Sequence, residues 1–200
     1  IRSIWETSRY NEWVPFVKGG KDTWVITKIK KCLNWKEEGE EIKRYDGSNP
    51  RNEQFYFSRG LTFANAKRSG RRFGLMHKET IFAQKGSALL PSKEGVEWSV
   101  LGFCASNMLN YLMLCQTSER MWEVGMVSKI PWDPSLSEDQ RVGEKAKKIA
   151  SHIYSLRQGD FQSPHYQAPL LLRMLPGESH PELPQATHPH RNLADELSVP

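Results

Sequence analysis

The chain has 200 residues, 38% of them hydrophobic, with a formal net charge of +5 and a pI near 9.1. That length fits one domain, or one domain with an appendage, and the charge favours an anionic partner such as nucleic acid. Three cysteines with no C-x-x-C spacing exclude a disulfide scaffold and fit a reducing cytoplasm, and no apolar run is long enough to span a membrane.

Residues 1–24 are rich in aromatics and punctuated by Pro15, Gly19 and Gly20. The Lys18-Gly19-Gly20 turn exposes backbone N–H groups that suit a phosphate, although an ordinary hairpin turn has the same composition. Apolar residues then alternate with charged ones at Trp24, Ile26, Ile29, Leu33, Trp35, Ile42 and Tyr45, which predicts half-buried strands. Glu37, Glu38, Glu40 and Glu41 form an acidic patch expected to face solvent, and Asp46-Gly47-Ser48-Asn49-Pro50 is a turn.

The next stretch, from Phe55 to Leu90, concentrates the basicity. Between Glu53 and Glu79 there is no acidic residue but there are six cations: Arg59, Lys67, Arg68, Arg71, Arg72 and Lys78. The local excess exceeds the net charge of the whole chain. Phe55-Tyr56-Phe57 and Thr80-Ile81-Phe82-Ala83 flank it and read as strands. Gly70 and Gly74 between them predict a loop or ribbon carried on a sheet. A solvated charged face is the simpler alternative. The choice of arginine at four of the six positions favours a phosphate-reading or guanine-reading element, because a guanidinium fork fits both.

Pro91–Gly95 is a turn, and residues 98–117 follow as a predicted core helix, with Val100, Leu101, Phe103, Cys104, Met108, Leu109, Leu112 and Met113 apolar around much of its surface. Cys104 and Cys115 are expected as buried free thiols. Residues 122–127 read as a strand. Ser137 and Gln140 form a capping box ahead of an amphipathic helix through Val142, Ala146, Ile149, Ile153 and Leu156, with Lys145, Lys147 and Lys148 outside. Beyond Gly159 the chain turns Pro- and His-rich. His188-Pro189-His190 lacks a Cys or acidic partner at ligand spacing, so no metal site is expected. The absent initiator Met and the Pro-rich end lead to the expectation of a piece of a longer protein.

No phosphate-binding G-x-x-x-x-G-K-[ST] loop, dinucleotide-binding G-x-G-x-x-G, zinc-binding H-E-x-x-H or G-x-S-x-G nucleophile elbow occurs. The best enzymatic constellation is Asp22 with Glu41-Ile42-Lys43 on a predicted strand, an acid plus E-x-K arrangement that holds Mg²⁺ in nucleases. The alternatives to a DNA-recognition domain are therefore an Mg²⁺-dependent nuclease and a protein-interaction module built on the aromatics and the C-terminal helix.

The strings FYFSRGLTF (55–63), KRSGRRF (67–73) and IFAQKGSA (81–88) resemble the C-terminal target-recognition region of N6-adenine DNA methyltransferases of the BREX phage-defence and fused type II restriction–modification kinds. PFVKGG (15–20), NWKEEGEEI (34–42), NEQFYF (52–57), SNMLNYL (106–112) and WEVGMVSKIP (122–131) fall in the same order, so the likeness covers about residues 13–132. The chain has Phe63-Ala64 where the family often has Trp-Pro, and Lys78-Glu79-Thr80 where it often has Pro-Ala-Gly. The family's Asn-Pro-Pro-Tyr motif and glycine-rich S-adenosylmethionine loop do not occur. The resemblance implies that this chain chooses the DNA site. A catalytic methyltransferase domain in the same parent chain would bind S-adenosylmethionine and act on a flipped adenine.

The expected fold is α+β: a twisted, mostly antiparallel sheet over residues 13–90, a core helix, and a C-terminal helical extension. Residues 1–134 form the expected DNA target-recognition domain, and 135–200 the helical, Pro/His-rich remainder. Arg59, Lys67, Arg68, Arg71 and Arg72 are expected on phosphates or guanine edges of duplex DNA. Lys18 and Lys85 are expected on backbone phosphate, with Thr62 and Ser69 as secondary hydrogen-bonding groups. No catalytic residue, resident cofactor or membrane association is expected, and the compartment is the cytoplasm. Replacing Arg71 and Arg72 together by alanine is expected to remove most DNA affinity without unfolding.

Overall fold

A computed structural model describes residues 1–7, 12–19, 24–66, 72–83, 86–117 and 121–160, with Ser163, Tyr166 and Pro169. Along the chain run β1 (Arg2–Ser3), α1 (Ile4–Thr7), β2 (Trp13–Val17), β3 (Val25–Ile26), β4 (Lys31–Asn34) and α2 (Glu40–Arg44). Then come β5 (Gly60–Ala64), β6 (Phe73–Met76), β7 (Ile81–Phe82) and β8 (Gly86–Leu89). The helices α3 (Glu97–Cys104), α4 (Asn107–Gln116), α5 (Val124–Val127), α6 (Ser135–Glu138) and α7 (Gln140–Arg157) follow.

The fold is α+β, as expected, with mostly antiparallel strands. The strands form two sheets rather than one, in the orders β1-β4-β2-β7 and β3-β6-β5-β8. Parallel pairings of β2 with β7 and of β3 with β6 join strands far apart in sequence. Periodicity shows where strands lie but not which ones pair, so this split was invisible in the sequence.

Strand β5 lies between two apolar layers. Its Leu61 and Phe63 face α3, α4 and α7 in the main core, with Phe73, Leu75, Leu101, Leu109, Ala146 and Ala150. Its Thr62 pairs in register with Gly74 and Ala88, and therefore faces the smaller core of Val17, Ile29, Cys32 and Met76 between the sheets. Leu61 is 0% and Phe63 1% exposed. Full burial of such side chains contributes about 1.5–3 kcal/mol each.

Helix α7 belongs to this packing. An ideal Cβ on Gly102 of α3 would lie 2.6 Å from Val142 Cγ1, and one on Gly143 would lie 3.1 Å from Ser99 Oγ, so glycines let the two helices approach closely. At the far end Arg157 donates from Nη1 to Thr27 O at 3.0 Å and from Nη2 to Ile26 O at 2.9 Å, tying the helix to the end of β3.

Several local expectations are corrected. The predicted helix over 98–117 is two helices bent by 66°. Ser106 takes an extended conformation and its Oγ accepts from Leu109 N–H at 3.2 Å, so it starts a new helix. Residues 36–44 are not a strand: a 3-10 turn at Lys36–Gly39, kinked at the left-handed Glu37 and Glu38, leads into α2. Glu53–Phe55 is a short 3-10 turn, and Phe55 and Phe57 are exposed. Residues 124–127 are the helical turn α5, and only Trp122 and Val127 of this stretch enter the core. Helix α7 starts at Gln140 with Asp139 as its cap, not Ser137. Cys32 and Cys104 are buried free thiols, whereas Cys115 is free and exposed. Among the described residues no single helix is long and apolar enough to cross a membrane.

Candidate nucleic-acid interface

The basic segment 67–71 connects β5 to β6, which pair antiparallel up to Phe63 and Phe73. The described residues on either side of it are held on all sides. Ala64 N–H donates to Arg72 O at 3.1 Å, and Trp122 N–H donates to Asn65 O at 2.8 Å. Ser87 Oγ donates to Asn65 Oδ1 at 2.9 Å, and Ala66 bridges to Met121.

Arg72 binds these pieces together. Its Nη1 donates to Ala64 O at 3.1 Å and to Asn65 O at 2.9 Å, and its guanidinium lies 4.4 Å from the centre of the Trp122 ring. The residue is 0% exposed. A buried cation survives here because two carbonyl oxygens and an aromatic face replace its water. Sequence reasoning assigned Arg72 to DNA, and that assignment is corrected: the side chain sits inside the protein and holds the hairpin.

The Lys18 turn lies at the same edge. Val17 O, at the end of β2, accepts from Ala83 N–H at 2.8 Å, and Ala83 O accepts from Gly86 N–H at 2.9 Å. An ideal Cβ on Gly86 would stand 2.6 Å from Gly19 N and 2.9 Å from Lys18 C, so only glycine admits this approach. Gly86 pairs in register with Ala64, next to the start of the basic segment. Lys18 is exposed and Gly19 is left-handed at φ 69°. The structure thus brings the Lys18 turn, the start of β8 and both ends of the basic segment to one edge. Lys67, Arg68, Ser69, Arg71 and Lys85 lie outside the described residues.

Two further predicted contacts sit elsewhere. Arg59 precedes β5 at the opposite end of the strand, about 16 Å from Ala64 at 3.3 Å per residue. Its Nε lies 2.8 Å from Glu97 Oε1, and Glu97 is 4% exposed, so Arg59 neutralises a nearly buried carboxylate. Thr62 is 0% exposed and its Oγ1 has no hydrogen-bond partner among the described residues. Thr62 is corrected to an interior position, and Arg59, partly exposed, to an ion pair with Glu97.

Glu41 and Lys43 of the nuclease constellation lie on a helix rather than on the expected strand. Asp22 lies outside the described residues. Glu41 and Lys43 stand two apart on α2, where 3.6 residues per turn sends their side chains to different sides. Lys43 Nζ pairs with Glu53 Oε2 at 2.7 Å, and that hydrogen bond pushes its pKa upward. No group of three or more His, Cys, Asp or Glu suited to a metal occurs among the described residues. His188 and His190 lie outside them.

No protein-family model matches the chain, and no curated protein matches it.

Proposed function

We propose that this chain recognises specific sequences of double-stranded DNA, as the target-recognition part of an adenine-N6 DNA methyltransferase or restriction–modification protein acting in the cytoplasm. The observation that supports it most is the anchoring of the basic segment. Lys67, Arg68 and Arg71 fall within five residues joining two paired strands, and both ends are fixed by Arg72, Asn65 and Trp122. The exposed Lys18 turn stands beside them. Cations on a rigid root lose less conformational freedom when they meet phosphates than cations on a free chain. Methyl transfer, with S-adenosylmethionine, falls to another domain of the parent chain; none of the residues proposed to contact DNA takes part in it.

The test is a salt titration of binding to random-sequence duplex. Each neutralised phosphate adds about 0.9 to the slope of log K against log salt. The triple variant Lys67→Ala, Arg68→Ala, Arg71→Ala should flatten that slope by about 2–3 while melting like the parent. Parent-like binding by this variant would overturn the reading.

A further inference from the structure

The outer face of the first sheet, opposite the smaller core, carries a cleft of about 950 Å³. Phe16 of β2 and Leu33 of β4 line its floor, and residues 35–56 close over it. Trp35 and Tyr56 meet edge to face at 5.6 Å between ring centres, as do Tyr56 and Phe82 at 5.3 Å. This enclosure is chained to the sheet by Phe57 N–H donating to Thr80 O at 3.1 Å.

The charged groups on the wall are of both signs. Glu41 is the carboxylate. Asn34 Nδ2 donates to Glu41 Oε2 at 3.2 Å, while Asn34 Oδ1 accepts from Lys36 N–H at 3.2 Å, so an amide that is itself fixed orients the acid. Glu41 has no ion-pair partner among the described residues. Arg2 and Arg51 are the cations, both exposed, with the Arg2 guanidinium 5.6 Å from the centre of the Trp13 ring.

The backbone around the cleft is strained. Of the five non-glycine residues with positive φ among those described, Glu37, Glu38, Asn52 and Phe57 all lie between residues 37 and 57. Such conformations persist where surrounding structure enforces them, and they cluster at ligand sites. The cleft also reaches the basic edge, because Ala83 lines it and is hydrogen-bonded to Val17, the neighbour of Lys18.

Aromatic faces stack planar rings, an oriented carboxylate accepts from an amino group, and arginines at a rim hold phosphate. From these we propose that the cleft binds one nucleotide whose base carries an exocyclic amino group. The base stacks among Trp35, Tyr56 and Phe82, Glu41 accepts from the amino group, and Arg2 or Arg51 meets the phosphate. The nucleotide comes either from solution or from an unstacked position in a nucleic-acid strand. The inference stands on the cleft alone and does not depend on duplex recognition by the basic segment.

Trp13 and Trp35 line the cleft, so intrinsic fluorescence reports on it. Adenosine 5′-monophosphate should change the emission saturably, and inosine 5′-monophosphate, which replaces the amino group by an oxo group, should bind at least tenfold more weakly. Glu41→Gln should shrink that ratio at least threefold without moving the melting temperature. A five-residue deoxyadenosine oligonucleotide separates the sources: tenfold tighter binding than the mononucleotide assigns the site to a strand, and equal binding assigns it to a free nucleotide. The triple basic-segment variant should bind the mononucleotide like the parent, whatever it does to duplex. Absence of saturation by both mononucleotide and oligonucleotide, or equal binding of the adenosine and inosine forms, would overturn the proposal.

Discussion

The guanidinium of Arg72 lies 4.4 Å from the centre of the Trp122 ring and is shut off from solvent, although Arg72 ends the most basic run in the chain. The two residues are far apart in sequence, and their contact joins the β5–β6 hairpin to the segment that follows α4.

Arg72→Ala should therefore destabilise the protein by about 3 kcal/mol. A desolvated cation–π contact contributes about 2 kcal/mol, and stranding the Ala64 and Asn65 carbonyls adds about 1 kcal/mol or more. Denaturant unfolding reads the change. This revises the expectation that Arg71 and Arg72 can be removed together without unfolding: Arg72→Ala accounts for the stability loss and Arg71→Ala for DNA affinity. A folded Arg72→Ala variant with parental stability and lost DNA affinity would mean that the guanidinium meets DNA directly.

Helix α7 should show a pH dependence at its start. Asp139 Oδ1 accepts from Arg141 N–H at 3.0 Å, and the Arg141 side chain bonds the same carboxylate. These bonds hold the Asp139 pKa down at about 2, below its ordinary 3.8. A depressed acid stabilises the folded state above the ordinary value and loses that contribution as pH falls through the folded one, so the cap weakens between about pH 4 and pH 2. Helicity followed by circular dichroism should fall across this window in the parent. Asp139→Ala should start lower at neutral pH and lose that part of the titration; an unchanged acid limb would show that the cap contributes nothing.

Helix α7 was legible because Val142, Ala146, Ile149 and Ile153 recur at three- and four-residue steps, and only its first turn was misread. Strand β5 was harder. Gly60–Ala64 is buried on both faces, so it lacks the alternation that marks a half-buried strand. The predicted strand fell instead on Phe55–Phe57, of which Tyr56 lines the cleft. The basic segment was visible as composition, but which cations face outward depended on tertiary partners. Arg59 is taken up by Glu97 and Arg72 by Trp122, and neither pairing leaves a local trace. Glu41 and Lys43 were placed on a strand because alternating charge fits both periods over a few residues. The left-handed Glu37 and Glu38 break the extended path ahead of α2, and no propensity rule anticipates them.

The cysteines offer a probe of α4. Cys115 is exposed, next to the exposed Leu114, while Cys32 and Cys104 are buried and burial pushes the Cys104 thiol up to about 12. A thiolate is the reactive form, so iodoacetamide at pH 8 should modify Cys115 first. Mass spectrometry should find one label per chain in the native protein and three after denaturation. Equal labelling of Cys104 and Cys115 in the native protein would contradict the packing of α3.

Gly86 tests whether the edge works as a unit. Its missing Cβ is what allows β8 to start against the Lys18-Gly19 backbone, with the nearest atoms being main chain that has no rotamer to escape into. Gly86→Ala should cost about 1–3 kcal/mol through overpacking. It should also push the Lys18 turn away from the root of the basic segment, so duplex affinity should fall more than threefold even where the variant is fully folded. Gly125→Ala is the control: nothing lies within 4 Å of its added Cβ, and alanine suits the helical turn, so stability and binding should stay at or slightly above the parent's. If Gly86→Ala lost stability but bound duplex like the parent, the Lys18 turn would not share a binding surface with Lys67, Arg68 and Arg71. DNA contact would then rest on the hairpin segment alone.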